Sequence, residues 1–235
     1  MINSIAIITA RGGSKRIPKK NIKNFCGQPI IKYSIDAALK SGCFSEVMVS
    51  TDDQEIANIA ESFGAKVPFL RSPQNSNDTA TTGDAILEVL NSYKKLNTKF
   101  EYFCCIYPTA PFITSEKLSN SLNMLKQTNA DAVIPVVKYS YPIQRSLKIE
   151  NNILKMNWPE NYKERSQDLE PAYHDSGQFY WMKTESFLEQ KTLFAKKTIP
   201  FIINEIEIQD IDTIQDWEIA EFKYKYLKKN LTQKN

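Results

Sequence analysis

The stretch SIAIITARGGSKRIPKKN, residues 4–21, decides the fold class of this chain. It begins with a short apolar run, residues 4–10, and passes directly into Arg11-Gly12-Gly13-Ser14. A short apolar run that ends at turn residues is typical of a buried strand followed by a loop. Because ligands of open α/β sheets bind at the carboxyl ends of the strands, this loop is the first candidate site.

Outward from this stretch, strand-like and helix-like segments alternate along most of the chain. Such alternation predicts an α/β fold with a mainly parallel sheet and helices on both faces. We expect one domain over residues 1–235, since a domain takes about 100–200 residues. The predicted strands are residues 4–10, 46–50, 66–70, 102–107, 132–137, 178–182 and 198–203. Predicted helices begin at Pro29, at the capping box of residues 51–54, at Thr82 and at Thr213, with another around Leu118, Leu122 and Leu125.

Residues 138–171 interrupt the alternation. This segment is too long for an ordinary loop, and it carries aromatic residues that have no place in the alternating core. We therefore expect it to pack against something other than the core of its own chain. The aromatic residues are Tyr139, Tyr141, Trp158 and Tyr162.

Composition excludes several function classes. The 30 basic and 27 acidic residues leave a net charge of +3, without the basic surplus typical of nucleic-acid or anionic-membrane binding. No apolar run reaches the roughly 20 residues of a membrane span, and the first apolar run is too short for a signal peptide. Four cysteines and a single histidine lack zinc-site spacing. Unpaired cysteines are typical of a reducing compartment, so we expect a cytoplasmic protein with no nucleic-acid or membrane partner.

The loop after the first predicted strand carries five cations beside two glycines. Glycine lets backbone N–H groups approach an anion, and the cations neutralise its charge, so the loop predicts a phosphate-chain site. Neither the P-loop spacing nor the dinucleotide fingerprint G-x-G-x-x-G is present. The alternative interpretation is a solvated basic loop. The cations are Arg11, Lys15, Arg16, Lys19 and Lys20.

Asp210 and Asp212 form a second candidate cluster. Two carboxylates one residue apart share a face of an extended segment, and both can reach one hard cation such as magnesium. The alternative is structural, because Asp212 could also favour the positive start of the last predicted helix.

Two further segments lie near predicted strand ends. Tyr107-Pro108-Thr109-Ala110-Pro111 is a rigid turn that could form a pocket wall for a base or a sugar, or could be only a turn. His174 stands beside Asp175 and could transfer protons, although a lone histidine is more often structural.

The motif ARGGSKRIPKKN at residues 10–21 resembles the signature of the cytidylyltransferases that activate sialic acids and related sugars. The resemblance extends over essentially the whole chain, and residues 104–112 with residues 165–181 resemble most the branch that activates pseudaminic acid. Further matching motifs are STDD at 50–53, PFLR at 68–71, YPTAP at 107–111 and QDIDTIQDW at 209–217.

The resemblance implies a Rossmann-like nucleotide-diphospho-sugar transferase fold and an enzyme that uses CTP. It implies transfer of CMP to the anomeric hydroxyl of a nine-carbon acidic sugar, with release of pyrophosphate and magnesium (Mg2+) as the cofactor. It also implies a homodimer in which residues 138–171 form the dimerisation segment. The implied site residues are Arg11, Gly13, Ser14, Lys15, Lys20, Asn21 and Arg71 for the nucleotide, Tyr107 and Gln178 for the sugar, Asp210 and Asp212 for the metal, and Lys20, Arg11 and Asp212 for catalysis.

One departure from the family bears on the substrate. Sialic acid enzymes carry a glutamine where this chain has Tyr107, and the metal-binding aspartate that many other nucleotidyltransferases have in that strand is missing. This departure argues against sialic acid itself, and the substrate that the resemblance implies is pseudaminic acid. The alternatives are activation of legionaminic acid, sialic acid or Kdo, or a non-catalytic nucleotide-binding module.

Overall fold

A computed structural model describes residues 3–232 of the chain, and this part forms eleven strands and six helices. The strands are β1 (Ser4–Thr9), β2 (Asn24–Phe25), β3 (Gln28–Pro29), β4 (Glu46–Ser50), β5 (Tyr102–Ile106), β6 (Ala132–Lys138), β7 (Leu147–Glu150), β8 (Ile153–Met156), β9 (Tyr173–Asp175), β10 (Phe179–Lys183) and β11 (Thr198–Ile202). The helices are α1 (Ile31–Ser41), α2 (Gln54–Ser62), α3 (Thr82–Lys95), α4 (Ser115–Thr128), α5 (Thr184–Gln190) and α6 (Ile214–Thr232).

The central sheet has the order β11-β6-β10-β5-β1-β4, and β9 pairs with β6 at one end of that strand. Strand β1 is parallel to both of its neighbours, β4 and β5, and β11 is parallel to β6. Strand β10 lies between β5 and β6 and runs antiparallel to both. The sheet is therefore mostly parallel with one reversed central strand, which confirms the predicted fold class.

Side chains of β1 alternate between two cores, one on each face of the sheet. Ala6 and Ile8 pack into the core formed with α1, α2 and α4. Ile5 and Ile7 pack into the opposite core, which contains α3 and Phe187 of α5. Successive residues of a strand point to opposite faces, so an unbroken apolar run is what a strand covered on both sides requires.

The helix boundaries follow local chemistry. The Asp53 side chain accepts hydrogen bonds from the backbone N–H groups of Glu55 and Ile56 at 2.8 and 3.2 Å, which caps the start of α2. Helix α1 ends at Gly42, whose φ of 64° places it in the left-handed region. Thr213 and Asp216 cap the start of α6 through reciprocal hydrogen bonds of 2.8 and 3.2 Å.

One expectation about secondary structure was wrong. Residues 66–70 do not form a strand, because only Lys66 makes a bridge, to Met48, before the chain turns away. The antiparallel direction of β10 was not predicted. Helix α5 and strand β9 were not predicted.

Residues 138–171 leave the central sheet and form a separate hairpin of β7 and β8. Leu147 lies opposite Met156 and Ile149 lies opposite Leu154, so these four apolar side chains share one face. Leu147, Ile149 and Leu154 are more than half exposed, at 52%, 73% and 61%. Within the described chain the hairpin therefore presents an apolar face that its own core does not cover.

Candidate active site

A pocket of about 470 Å³ opens at the carboxyl ends of β1 and β5, beside the first turn of α3. Its position matches the rule that α/β sheets bind ligands outside the carboxyl ends of their strands. The loop after β1 supplies one wall, residues 75–82 supply another, and the turn after β5 supplies the third. The lining residues are Thr9, Arg11, Ser14, Lys15, Arg16, Ile17, Lys20, Asn21, Arg71, Asn75, Asn77, Asp78, Ala80, Thr81, Thr82, Ala85, Tyr107, Pro108 and Thr109.

Four of the five loop cations face this pocket. Arg11, Lys15, Arg16 and Lys20 belong to its lining. Lys19 does not, because its ammonium group forms an ion pair with Glu55 at 2.5 Å. That ion pair raises the pKa of Lys19. Four of the five cations can therefore contact an anionic ligand in the pocket, whereas Lys19 forms a surface ion pair.

Lys20 and Asn21 fix the loop to two other parts of the chain. The Lys20 ammonium group donates to the backbone carbonyl of Ile211 at 2.6 Å, which ties the loop to the segment before α6. The Asn21 amide donates to the carbonyl of Arg11 at 2.8 Å and is 5% exposed. Asn21 thus holds the curvature of the loop as well as bordering the pocket.

The two glycines of the loop have different roles. A Cβ atom on Gly12 would lie 2.9 Å from both Cβ and Oδ2 of Asp53, so a side chain there would clash with the start of α2. The Gly12 N–H donates to Asp52 at 2.9 Å. A Cβ on Gly13, the predicted nucleotide-binding glycine, would meet nothing within 4 Å, and Gly13 is not part of the pocket lining. Gly12 is therefore the position where close approach requires glycine.

Arg71 is a buried cation at the pocket wall, 8% exposed. Its guanidinium donates to Ser50 Oγ at 3.0 Å and to the Ser50 carbonyl at 2.5 Å, at the end of β4. Burial lowers the pKa of Arg71, and the nearby Asp52 and Glu88 carboxylates partly offset that effect. These contacts fix the guanidinium at the pocket wall, as a rigid binding residue requires.

Asp210 and Asp212 lie beside the pocket and are joined to it through its cations. Asp212 Oδ1 is 2.7 Å from the Arg16 guanidinium and 3.6 Å from the Lys20 ammonium group. The pKa of Asp210 is raised, because nearby protein atoms partly exclude water and because Asp212 places a second negative charge close to it. The capping role that Asp212 could have had at α6 belongs instead to Asp216, which accepts from the backbone N–H groups of Asp212 and Thr213.

Of the two predicted sugar contacts, Tyr107 lines the pocket and Gln178 does not. Burial raises the pKa of the Tyr107 phenol, whose oxygen is 3.4 Å from Thr82 Oγ1. Gln178 lies behind Tyr107, where its carbonyl accepts from the Tyr107 N–H at 2.9 Å. The Gln178 amide donates to the Glu207 carbonyl at 2.7 Å, and its Oε1 is buried without a partner among the described residues.

His174 lies outside the pocket lining. Its Nδ1 is 2.9 Å from the Asp175 carbonyl, and its ring packs on Tyr139 with centroids 4.9 Å apart. The structure thus gives His174 a packing and hydrogen-bonding position on β9.

Sequence reasoning missed one wall of the pocket. Asn75, Asn77, Asp78 and Thr81 come from a polar segment between α2 and α3. The segment carries no glycine-rich or metal-ligand spacing, so no pattern marked it. The only available signal was Thr81, which starts α3 with Asp84 as a capping box and so places this loop at a helix start.

Comparison with solved structures identifies the fold. The chain superposes on the CMP:2-keto-3-deoxy-manno-octonic acid synthetase complexed with CTP with a TM-score of 0.67, covering 93% of this chain and 96% of that one, at 17% identity. At that identity the likeness shows the fold alone, which is the Rossmann-like fold of nucleotidyltransferases.

Comparison of sequences adds the family. The family model described as cytidylyltransferase matches residues 5–231, so the chain belongs to the cytidylyltransferase family. It is 40% identical to the pseudaminic acid cytidylyltransferase of Campylobacter jejuni subsp. jejuni serotype O:2, over 95% of this chain and 97% of that one. It is 33% identical to the CMP-N,N'-diacetyllegionaminic acid synthase of Legionella pneumophila, over 92% and 94% of the two chains. These matches confirm the predicted family and the prediction of an enzyme.

Among residues 3–232, none of the helices combines the length and the apolar composition that crossing a membrane requires.

Proposed function

We propose that this chain transfers CMP from CTP to the anomeric hydroxyl of a nine-carbon acidic sugar, pseudaminic acid, and releases pyrophosphate. The observation that carries the proposal is the pocket at the carboxyl ends of β1 and β5, with Arg11, Lys15 and Lys20 in its lining. The choice of pseudaminic acid is supported by the 40% identity, over 95% of the chain, to a pseudaminic acid cytidylyltransferase.

The reaction needs positioning and charge stabilisation more than covalent help from the protein. The anomeric oxygen of the sugar attacks the α-phosphorus of CTP, and the bond from that phosphorus to the bridging oxygen of the β-phosphate breaks. Arg11, Lys15 and Lys20 bind the phosphate oxygens and stabilise the negative charge that pyrophosphate carries away. Ser14 and the loop N–H groups add neutral donors, and Arg71 with Asn21 contacts the cytidine.

The carboxylates of Asp210 and Asp212 fit a divalent cation. They lie one residue apart, and Asp212 is 2.7 Å from Arg16 and 3.6 Å from Lys20. Oxygen ligands of this kind suit Mg2+, which binds through one or two carboxylates and substrate phosphates. Residues 3–232 hold no group of three or more His, Cys, Asp or Glu side chains that suits a metal, so phosphate oxygens and water would complete the coordination. When bound there, Mg2+ supplies further charge stabilisation for the departing pyrophosphate.

The sugar side of the reaction is assigned to Tyr107 and, behind it, to Gln178. Tyr107 presents its phenol beside Thr82 within the pocket. The carbonyl of Gln178 accepts from the Tyr107 N–H, so Gln178 acts on the sugar through the position of Tyr107.

The apolar hairpin face supports a homodimer. A two-stranded hairpin is marginally stable in water by itself, so an exposed face of Leu147, Ile149, Leu154 and Met156 is stabilised when a second surface covers it. The family resemblance of residues 138–171 makes a second copy of this chain the occupant. A cytoplasmic location is supported by the cysteines, since Cys26, Cys43, Cys104 and Cys105 are all unpaired thiols.

The test is pyrophosphate release from CTP and magnesium with a panel of acidic sugars. Pseudaminic acid should give the highest kcat/KM, and UTP or GTP should not replace CTP. Faster turnover with legionaminic acid, sialic acid or Kdo would assign the chain to that sugar. Binding of CTP without pyrophosphate release from any sugar would indicate the non-catalytic module.

A further inference from the structure

Asp78 belongs to the pocket wall formed by residues 75–82 and pairs with two cations of the loop after β1. Its Oδ1 is 3.2 Å from the Arg11 guanidinium, and its Oδ2 forms an ion pair with the Lys15 ammonium group. One carboxylate thus bridges two of the cations that the proposed function gives to the triphosphate. Lys15 and Arg11 both lower the pKa of Asp78, so the residue is an anion at neutral pH.

The loop that carries Asp78 is fixed at both ends. Asn77 Oδ1 accepts from the N–H groups of Thr79 and Ala80, each at 2.9 Å, which closes a tight turn around Asp78. The Asn77 carbonyl accepts from Arg11 at 3.1 Å. Nearer the start of the loop, Glu88 accepts from the Ser72 N–H at 2.8 Å. These hydrogen bonds fix the backbone that carries Asp78 beside the two cations, while its side chain remains 56% exposed.

A carboxylate and a phosphate use the same donors of arginine and lysine. We propose that Asp78 takes the place of phosphate oxygens between Arg11 and Lys15 in the nucleotide-free protein, and that the triphosphate must displace it. This inference rests on the proposed function. It makes Asp78 an internal competitor of the triphosphate for the two cations.

The same contact acts when the product leaves. Once CMP has been transferred to the sugar, pyrophosphate remains bound to Arg11 and Lys15. Because Asp78 competes for the same two cations, it favours the release of pyrophosphate. Asp78 thereby lowers the affinity of the pocket for polyphosphates in general, while it leaves the contacts to the cytosine and ribose unchanged.

The experiment compares wild-type protein with Asp78→Asn and Asp78→Ala by calorimetry, with CTP, tripolyphosphate and cytidine as separate probes. Ion pairs at an exposed site are weak, so loss of two of them should tighten CTP and tripolyphosphate binding by about three- to tenfold. Cytidine, which has no phosphate, should bind equally to all three proteins. Thermal midpoints establish that the variants are folded.

Asp36→Asn is the matched control. Asp36 also bridges two cations, Lys32 and Lys40, but it lies on α1 away from this pocket. The Asp36→Asn variant should bind CTP, tripolyphosphate and cytidine with the same affinities as the wild-type protein. Unchanged or weaker polyphosphate binding in both Asp78 variants would overturn the inference, and so would tighter binding of cytidine. If the wild-type protein bound neither CTP nor tripolyphosphate, the proposed function itself would be wrong.

Discussion

The guanidinium of Arg16 lies 2.7 Å from Oδ1 of Asp212. This ion pair joins the loop after the first strand to the segment before the last helix, so the two ends of the described chain meet at the proposed reaction site. Lys20 reinforces the junction through the carbonyl of Ile211. Asp212 is thus held by two of the cations that line the pocket.

Asp212→Asn should lower turnover by at least about 100-fold while the fold survives. The change keeps the size of the side chain but removes one charge from a ligand of a hard cation. Loss of one preorganised electrostatic group lowers turnover by about this factor. Excess magnesium should restore part of the rate, because mass action refills a weakened site. Steady-state kinetics over a magnesium titration measure both effects.

The control for that experiment is Asp216→Asn, four residues further on. Asp216 caps α6, so its replacement should lower the thermal midpoint and retain most of the turnover. Normal activity of Asp212→Asn would exclude the metal role of Asp212.

Arg11→Ala and Lys20→Ala should each weaken CTP binding by about tenfold, because each change removes a charge-assisted contact to phosphate. Lys19→Ala provides the comparison within the same loop. Its ammonium group is paired with Glu55 and points away from the pocket, so its CTP affinity should be nearly unchanged. Equal losses in all three variants, measured by calorimetry, would show that the loop acts only through its general positive charge.

Leu154→Asp should convert the proposed dimer to a monomer, because it buries a charge in the apolar face of the hairpin. Ile153→Asp is the matched change on the opposite face, since Ile153 pairs with Glu150 and is similarly exposed, at 59%. Sedimentation of both variants shows which face of the hairpin forms the dimer contact, because only the change on that face should give a monomer. A wild-type protein that sediments as a monomer at all concentrations would contradict the dimer itself.

Asp84 should contribute to stability at neutral pH and lose that contribution in acid. Hydrogen bonds from Thr81 lower its pKa in the folded state below the unfolded value of about 3.9. The stabilisation is therefore present above the unfolded pKa and disappears as the pH falls through the folded-state pKa. The gap in thermal midpoint between wild type and Asp84→Asn should narrow between pH 6 and about pH 2. A gap that stays constant with pH would contradict this assignment.

The sequence predicted the parts of the fold that depend on local periodicity. Residues 46–50 form β4 as predicted, because the short apolar run specifies a strand. The capping box expected at residues 51–54 gave the start of α2 to within a few residues, and the capping side chain is that of Asp53. The reversed direction of β10 could not be predicted from periodicity. The apolar pattern of a buried strand is the same whether it runs parallel or antiparallel to its neighbours.

In the candidate site, too, the residues that form a local pattern were predicted and those defined by long-range contacts were not. Arg11, Lys15 and Lys20 were found because cations beside glycines form a recognisable pattern. Asp78 was missed because its importance comes from contacts with residues more than 60 positions away, and no local pattern marks them. Gly12 rather than Gly13 proved sterically constrained because Asp53, from the next strand–helix turn, lies against it.

The reversed strand β10 also has a consequence for synthesis on the ribosome. Strands β1, β4 and β5 emerge first and can pair with one another, and β6 emerges later, but the strand that separates β5 from β6 is made only after residues 138–171. Until residues 179–183 are available, the facing edges of β5 and β6 have unpaired backbone groups, which favour aggregation. We therefore expect translational pauses or chain breaks before this point to be more harmful than those after it, because they leave the sheet in two unjoined parts.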